Sequence, residues 1–146
     1  MIEVWDTSAL ILAARSPATA GRRLADALGD DEVALTEPIL LEYLNGARNM
    51  AEYDRFDQAL RAGRLLATDE GAWQRALEVH RQLAESGPGH QRSVRLVDLI
   101  IAAVAEANGF PIVHVDADYE RIASITGQPT RRLDVESGSL TDRTEG

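Results

Sequence analysis

Apolar residues along this chain follow two rhythms: short continuous runs, and longer stretches that repeat every three to four positions. The runs at 2–5 (IEVW), 33–35 (VAL) and 112–115 (IVHV) read as buried strands. Asp6-Thr7-Ser8 offers cap chemistry for a short helix over ALILAA that stops near Ser16-Pro17. A second helix runs from about Thr19 to Leu28 and is closed by Gly29. Pro38 stands in the first turn of a helix over 37–45, where its missing N–H costs nothing. Further helices are predicted at 50–62, 69–85 and 96–107, the last ended by Asn108-Gly109. Asp118 is expected to cap a short helix, YERIASI, and 64–66 and 131–135 supply edge strands. The polar tail 136–146 is expected to be unstructured. Strands alternating with helices imply an α/β fold: a three-layer α/β/α sandwich with a mostly parallel sheet, in one domain over 1–135.

Composition narrows the function. A chain of 146 residues with 45% apolar and 27% charged positions suits one soluble domain with a real core. No apolar run reaches membrane-spanning length, and the start MIEVWDTSALI lacks the basic region of a secretory signal, so a cytoplasmic protein is expected. Without cysteine, any metal must be held by oxygen or histidine. The formal charge of −9 argues against gripping long nucleic acid by charge alone. Every basic side chain is arginine; the chain has no lysine.

Four acids stand at informative places. In open parallel sheets ligands bind beyond the carboxyl ends of the strands. Asp6 follows the first strand and Asp116 follows VHV, while Asp98 opens the most apolar helix and Glu42 lies among aliphatic neighbours. Each has a plainer reading: Asp6 and Asp116 as helix caps, Asp98 as a partner of the helix dipole, Glu42 as part of a solvated face. Taken together they form a cluster of like charge. Two such charges 4 Å apart repel by about 4 kcal/mol at an effective dielectric near 20. A cluster of that kind raises its proton affinity or binds a cation. Oxygen donors with open coordination positions select Mg²⁺ or Mn²⁺, and phosphodiester hydrolysis is the chemistry such a site suits best.

The segments DTSAL, TEPILLEYLNGAR, VDLIIAAVAEANG and IVHVDADYERIA follow one another as in PIN-domain proteins, and the chain resembles the VapC toxins of VapBC toxin–antitoxin pairs over residues 1–135. The resemblance implies a metal-dependent endoribonuclease with Asp6, Glu42, Asp98 and Asp116 as the catalytic acids. Asp6, Asp98 and Asp116 would be the metal ligands, with Glu42 completing the shell or orienting water. Ser8 and Asp118 match groups that stand beside the site. Glu37 competes with Glu42, but the spacing to Asn45-Gly46 favours Glu42. One departure is His114, where the family often has threonine or serine; it is read as a strand histidine satisfied by the backbone.

Arg48, Arg92 and Arg95, and the pair Arg131-Arg132, are candidates for holding RNA phosphates around the acidic floor. With 5% aromatics, base stacking on Trp5, Trp73 or Tyr119 cannot dominate. The family implies transfer or ribosomal RNA as substrate, a VapB-type antitoxin as partner, and a homodimer. The apolar faces at 37–45 and 50–62 suit either a dimer interface or the core. A receiver domain would need a lysine, and a haloacid-dehalogenase phosphatase would need an aspartate where Ser8 stands. A PIN nuclease of RNA processing and a catalytically silent PIN-like module remain as alternatives.

Overall fold

The short apolar runs become strands because each is covered on both faces. The structure, a computed structural model, describes residues 1–133 and the strand at 140–143. Strand β1 (Glu3–Trp5) is central, with β2 (Val33–Thr36) and then β3 (Arg64–Leu66) on one side. On the other side lie β4 (Ile112–His114), β5 (Thr130–Leu133) and β6 (Leu140–Arg143). The sheet order is therefore β3-β2-β1-β4-β5-β6, parallel up to β5. Register sets Val4 beside Ala34 on one flank and Ile112 on the other. Val4, Trp5, Ala34, Ile112 and Val113 are all solvent-free, as expected of strands between two helical layers.

The helices supply those layers. They are α1 (Thr7–Arg15), α2 (Ala20–Gly29), α3 (Glu37–Leu44), α4 (Met50–Leu60), α5 (Glu70–Ser86), α6 (Leu96–Asn108) and α7 (Ala117–Thr126), with a 3-10 turn at His90–Arg92. Helix α6 is apolar nearly all round, and Leu99 and 101–105 are buried, so it runs through the core rather than across the surface. It ends at Gly109 in the left-handed region (φ 71°), a conformation that favours glycine. The faces of α3 and α4 left open between core and interface meet each other: Tyr43 and Phe56 pack edge to face at 5.1 Å. Their outer sides still expose Leu41 and Met50. No helix among the described residues is long and apolar enough to cross a membrane.

Three expectations change. Helix α1 starts at Thr7, so Thr7 and Ser8 are helical and Asp6 alone caps them. Helix α7 is capped by Asp116 rather than Asp118: the chain leaves the sheet at His114, and the Asp116 carboxylate accepts from the Asp118 backbone N–H at 2.9 Å. That moves Asp118 into the helix's first turn, where its carboxylate faces α6 instead. Finally, part of the tail is ordered as β6, antiparallel to β5, because the outer edge of β5 offers unpaired backbone groups to whatever chain follows. Residues 134–139 and 144–146, which complete the predicted last strand and tail, lie outside the described residues.

The connection from α1 to α2 is tight enough to test. A Cβ on Gly21 would lie 2.8 Å from the Ala13 carbonyl oxygen and 3.2 Å from that of Ser16. Gly21→Ala gains at most about 1 kcal/mol of helix propensity, and this is outweighed by pushing two helices apart, which typically costs about 1–3 kcal/mol. We expect a lower urea midpoint for Gly21→Ala; a midpoint at or above that of the parent would refute this packing.

Candidate metal centre

Strand order directs attention to one crevice. From β1 the chain moves to β2 and β3 on one side, then returns to β4 on the other, so the connections diverge between β1 and β4. Asp6 ends β1 there and Asp116 follows β4 by two residues. The backbone N–H of Asp6 donates to the Val113 carbonyl at 2.9 Å, which locks the two strand ends together. Ser8 reinforces the join: its hydroxyl donates to Asp6 Oδ2 at 2.6 Å and accepts from the Val115 N–H at 3.1 Å. The Ser8 backbone N–H adds a bond to the same Asp6 oxygen at 3.0 Å.

Two more elements bring their acids to this crevice. Oxygens of Asp6, Glu42 and Asp98 lie within 4.8 Å of one another, and so do those of Asp98, Asp116 and Asp118. Asp98 belongs to both triplets and is the centre of the group. All four acids singled out in the sequence are thus gathered at one edge of the sheet, and Asp118 joins them. Glu37 does not: its carboxylate accepts from the Thr68 N–H and hydroxyl at 3.1 and 2.8 Å, tying α3 to the end of β3.

The environments of these acids differ. Asp6 is buried but well supplied with donors. Glu42 is half-buried, accepts from the Thr7 hydroxyl at 3.1 Å, and forms an ion pair with Arg95. Asp98 is only 1% exposed, and its Oδ2 has no hydrogen-bond partner among the described residues. Burial, then the neighbouring carboxyl of Asp118 and the charge of Asp6, push its carboxyl up to about 8; Arg95 opposes this. An unpartnered carboxylate oxygen aimed into a group of oxygen donors is what a hard divalent cation would satisfy. Asp98 with Asp6 and Glu42, or with Asp116 and Asp118, therefore offers oxygen donors that suit a hard divalent cation; neither triplet contains both Asp6 and Asp116.

The arginines divide. Arg95 stands at the mouth of the site on Glu42, and its backbone N–H donates to Asp118 Oδ2 at 2.8 Å. Arg48 is held by Glu52 at 2.9 Å, while Arg92 is exposed on the 3-10 turn. Arg131 and Arg132 reach Glu3 and Glu120 at 2.9 and 3.0 Å. His114 is buried, and burial holds its ring neutral; Nδ1 accepts from the Asp116 N–H at 3.2 Å, so it braces the turn that carries Asp116. Trp5 and Tyr119 are buried and offer no surface for stacking, whereas Trp73 is half exposed.

Tyr119 is the functional neighbour that sequence reasoning missed. Its hydroxyl donates to Asp6 Oδ1 at 2.6 Å and lies 3.2 Å from Asp98 Oδ1. The available signal was its place one helical turn after Asp116, on the side of α7 that returns to the sheet.

The raised proton affinity of Asp98 has a measurable sign. A carboxyl lifted from 3.8 to about 8 binds more protons folded than unfolded between those values. The stability it contributes is full below about pH 4 and is lost as pH rises through about 8. In EDTA, the melting temperature should fall between about pH 5 and 8, and Asp98→Asn should flatten that fall. Parallel curves for the two proteins would contradict the assignment.

Comparison with known proteins bears on the family and the fold. A PIN-domain family model matches residues 4–125. Ribonuclease VapC18 of Mycobacterium tuberculosis is 40% identical over 140 residues, covering 96% of this chain and 100% of that protein. Ribonuclease VapC51 of the same organism is 38% identical over 120 residues, 82% of this chain and 85% of that one. Among solved structures, VapBC-5 from Mycobacterium tuberculosis, a member of the VapBC family of toxin–antitoxin systems, superposes with a TM-score of 0.57 at 28% identity, covering 82% of this chain and 88% of that one. VapBC2 from Rickettsia felis, bound to a promoter DNA fragment, gives 0.68 at 18% identity over 84% and 93%, a likeness of fold alone. With a family model spanning most of its length and a relative this similar from end to end, the chain belongs to the PIN-domain family.

Proposed function

We propose that this protein is the endoribonuclease toxin of a VapBC-type pair, hydrolysing RNA phosphodiester bonds with Mg²⁺ or Mn²⁺ held by Asp6, Asp98 and Asp116. The observation that carries the reading is Asp98, buried with one carboxylate oxygen unpartnered and shared by two acid triplets. The names of the similar proteins, ribonucleases VapC18 and VapC51, support RNA as the substrate class.

The bound ion would polarise a phosphoryl oxygen, lower the pKa of a water and steady the leaving oxygen. The chain's own residues prepare that chemistry. Asp6 is oriented by three donors, from Ser8 and Tyr119, so its carboxylate does not need to reorganise. Asp98, whose proton affinity is raised by burial, would hold a cation in place of that proton. Glu42 is held by Thr7 and Arg95 at the rim, placed to complete the shell or orient the attacking water. Arg95, with Arg92 three residues before it, meets phosphates entering over the acidic floor, and Arg48 contacts RNA farther from the reacting bond.

A structured transfer or ribosomal RNA is the proposed substrate, since few exposed aromatics are present to read single strands by stacking. The proposed partners are a VapB-type antitoxin and a second copy of this chain, in line with the toxin–antitoxin complexes among the structural relatives. The proposed compartment is the cytoplasm, where such RNA is found.

The decisive assay uses purified protein and RNA. Cleavage should require Mg²⁺ or Mn²⁺, stop with EDTA, and leave 5′-phosphate and 3′-hydroxyl ends. Asp98→Asn should lower the rate by at least about 100-fold. Undiminished cleavage by that variant, or in EDTA, would refute the site.

A further inference from the structure

Tyr119 is fully buried, yet it carries a polar group that a phenylalanine of the same shape would not. Its ring packs 5.3 Å from that of His114 at a tilt of 47°, so the position is already filled by apolar contact. A buried hydroxyl without a partner costs free energy, and one that finds a partner gains little net. Packing alone therefore does not account for the hydroxyl. What distinguishes it is where it ends: 2.6 Å from Asp6 Oδ1 and 3.2 Å from Asp98 Oδ1. Among the described residues it is the one side chain shown within hydrogen-bonding distance of both carboxylates. These acids come from different parts of the chain, the end of β1 and the first turn of α6, and no backbone element joins their side chains.

A hydroxyl has one proton to give and can accept in return. The shorter contact assigns that proton to Asp6. The remaining face of the phenol oxygen stands against Asp98 and fixes how near the two acids approach. Ser8 engages the opposite oxygen of Asp6, so the carboxylate is pinned at both ends. Without the phenol, Asp6 Oδ1 would be a buried acceptor with no donor, and nothing would set its distance from Asp98. Groups that orient metal-binding side chains in this way typically carry a 10- to 100-fold effect on metal affinity.

We propose that Tyr119 is a positioning residue of this acidic site: its buried hydroxyl spaces and aims the Asp6 and Asp98 carboxylates so that a divalent cation meets them already arranged. The proposal rests on the reading of these acids as a metal site. It is distinct from a packing role, because it places the effect in cation affinity rather than in stability.

The test compares full-length wild type, Tyr119→Phe and Ile122→Val in Mn²⁺ titrations, with free Mn²⁺ read by its electron paramagnetic resonance signal. Ile122 is buried one turn further along α7 and touches none of the acids' hydrogen bonds, so its variant reports generic loosening of the helix. Tyr119→Phe is expected to weaken Mn²⁺ binding by about 10- to 100-fold, with Ile122→Val within about twofold of wild type at equal or greater loss of melting temperature. In RNA cleavage, Tyr119→Phe should raise the Mn²⁺ concentration needed for half-maximal rate while largely keeping the rate at saturating Mn²⁺. If wild type binds Mn²⁺ and Tyr119→Phe binds it equally well, or if Ile122→Val weakens binding as much, the positioning role is overturned and the metal site stands. If wild type itself binds no Mn²⁺, the metal-site reading fails and this proposal falls with it.

Discussion

A carboxyl group with 1% of its surface exposed, set beside a second buried carboxyl, is the constraint around which this molecule is organised. Asp98 cannot ionise there without compensation, and the chain provides only part of it. Arg95 lies across the mouth and favours the charge, while Asp6 and Asp118 oppose it. Much of the surrounding architecture serves to hold the group in place. Helix α6 passes through the core, so its first turn cannot move away from the sheet edge. The β1–β4 register sets Trp5 beside Val113, and the next residue of β1 is Asp6 itself. Strand ends, a buried helix and two hydrogen-bonding side chains thus converge on acids that repel one another. Such an arrangement is relieved by a raised proton affinity, as at Asp98, or by a cation that completes it.

The same constraint bears on how a protein of charge −9 would act on RNA, as proposed above. Net charge governs long-range encounter, but the local field at a metal site is set by the ion. Most arginines are spent on nearby acids: Arg48 on Glu52, Arg61 on Asp57, Arg75 on Glu106, Arg131 on Glu3. Arg95 and Arg121 differ in being paired with acids of the site itself, Glu42 and Asp118. On the proposed reading, a cation in the site would stand beside Glu42 and leave the Arg95 guanidinium to share with an incoming anion.

How much of this was legible in the sequence follows from what each feature depends on. The sheet was readable because IEVW, VAL and IVHV are too short and too apolar for anything but covered strands. Asp6 and Asp116 were readable because a parallel sheet presents its carboxyl ends on one edge. Asp98 was readable from its place as the first acid of a wholly apolar helix. Glu42 was separable from Glu37 only by spacing; Glu37 binds Thr68, and Glu42 lies with Asp6 and Asp98. The cap of α7 was misplaced by two residues because DAD offers two aspartates with the same local chemistry, and only the end of β4 decides between them. The pinning of Asp6 by Tyr119 and the pairing of Glu42 with Arg95 span 113 and 53 residues of sequence. Contacts of that kind depend on helix tilt and rotamer, which leave no local trace.

The central claim is that this acidic group exists to hold a divalent cation at Asp98. Crystals grown or soaked with Mn²⁺ and measured for anomalous scattering near the manganese edge test it without any assay of activity. The account calls for an anomalous peak about 2.0–2.3 Å from Asp98 Oδ2, with Asp6 or Asp116 among its other ligands. Full Mn²⁺ loading with no peak at these carboxylates, or a peak held elsewhere while Asp98 keeps its solitary oxygen, would contradict it.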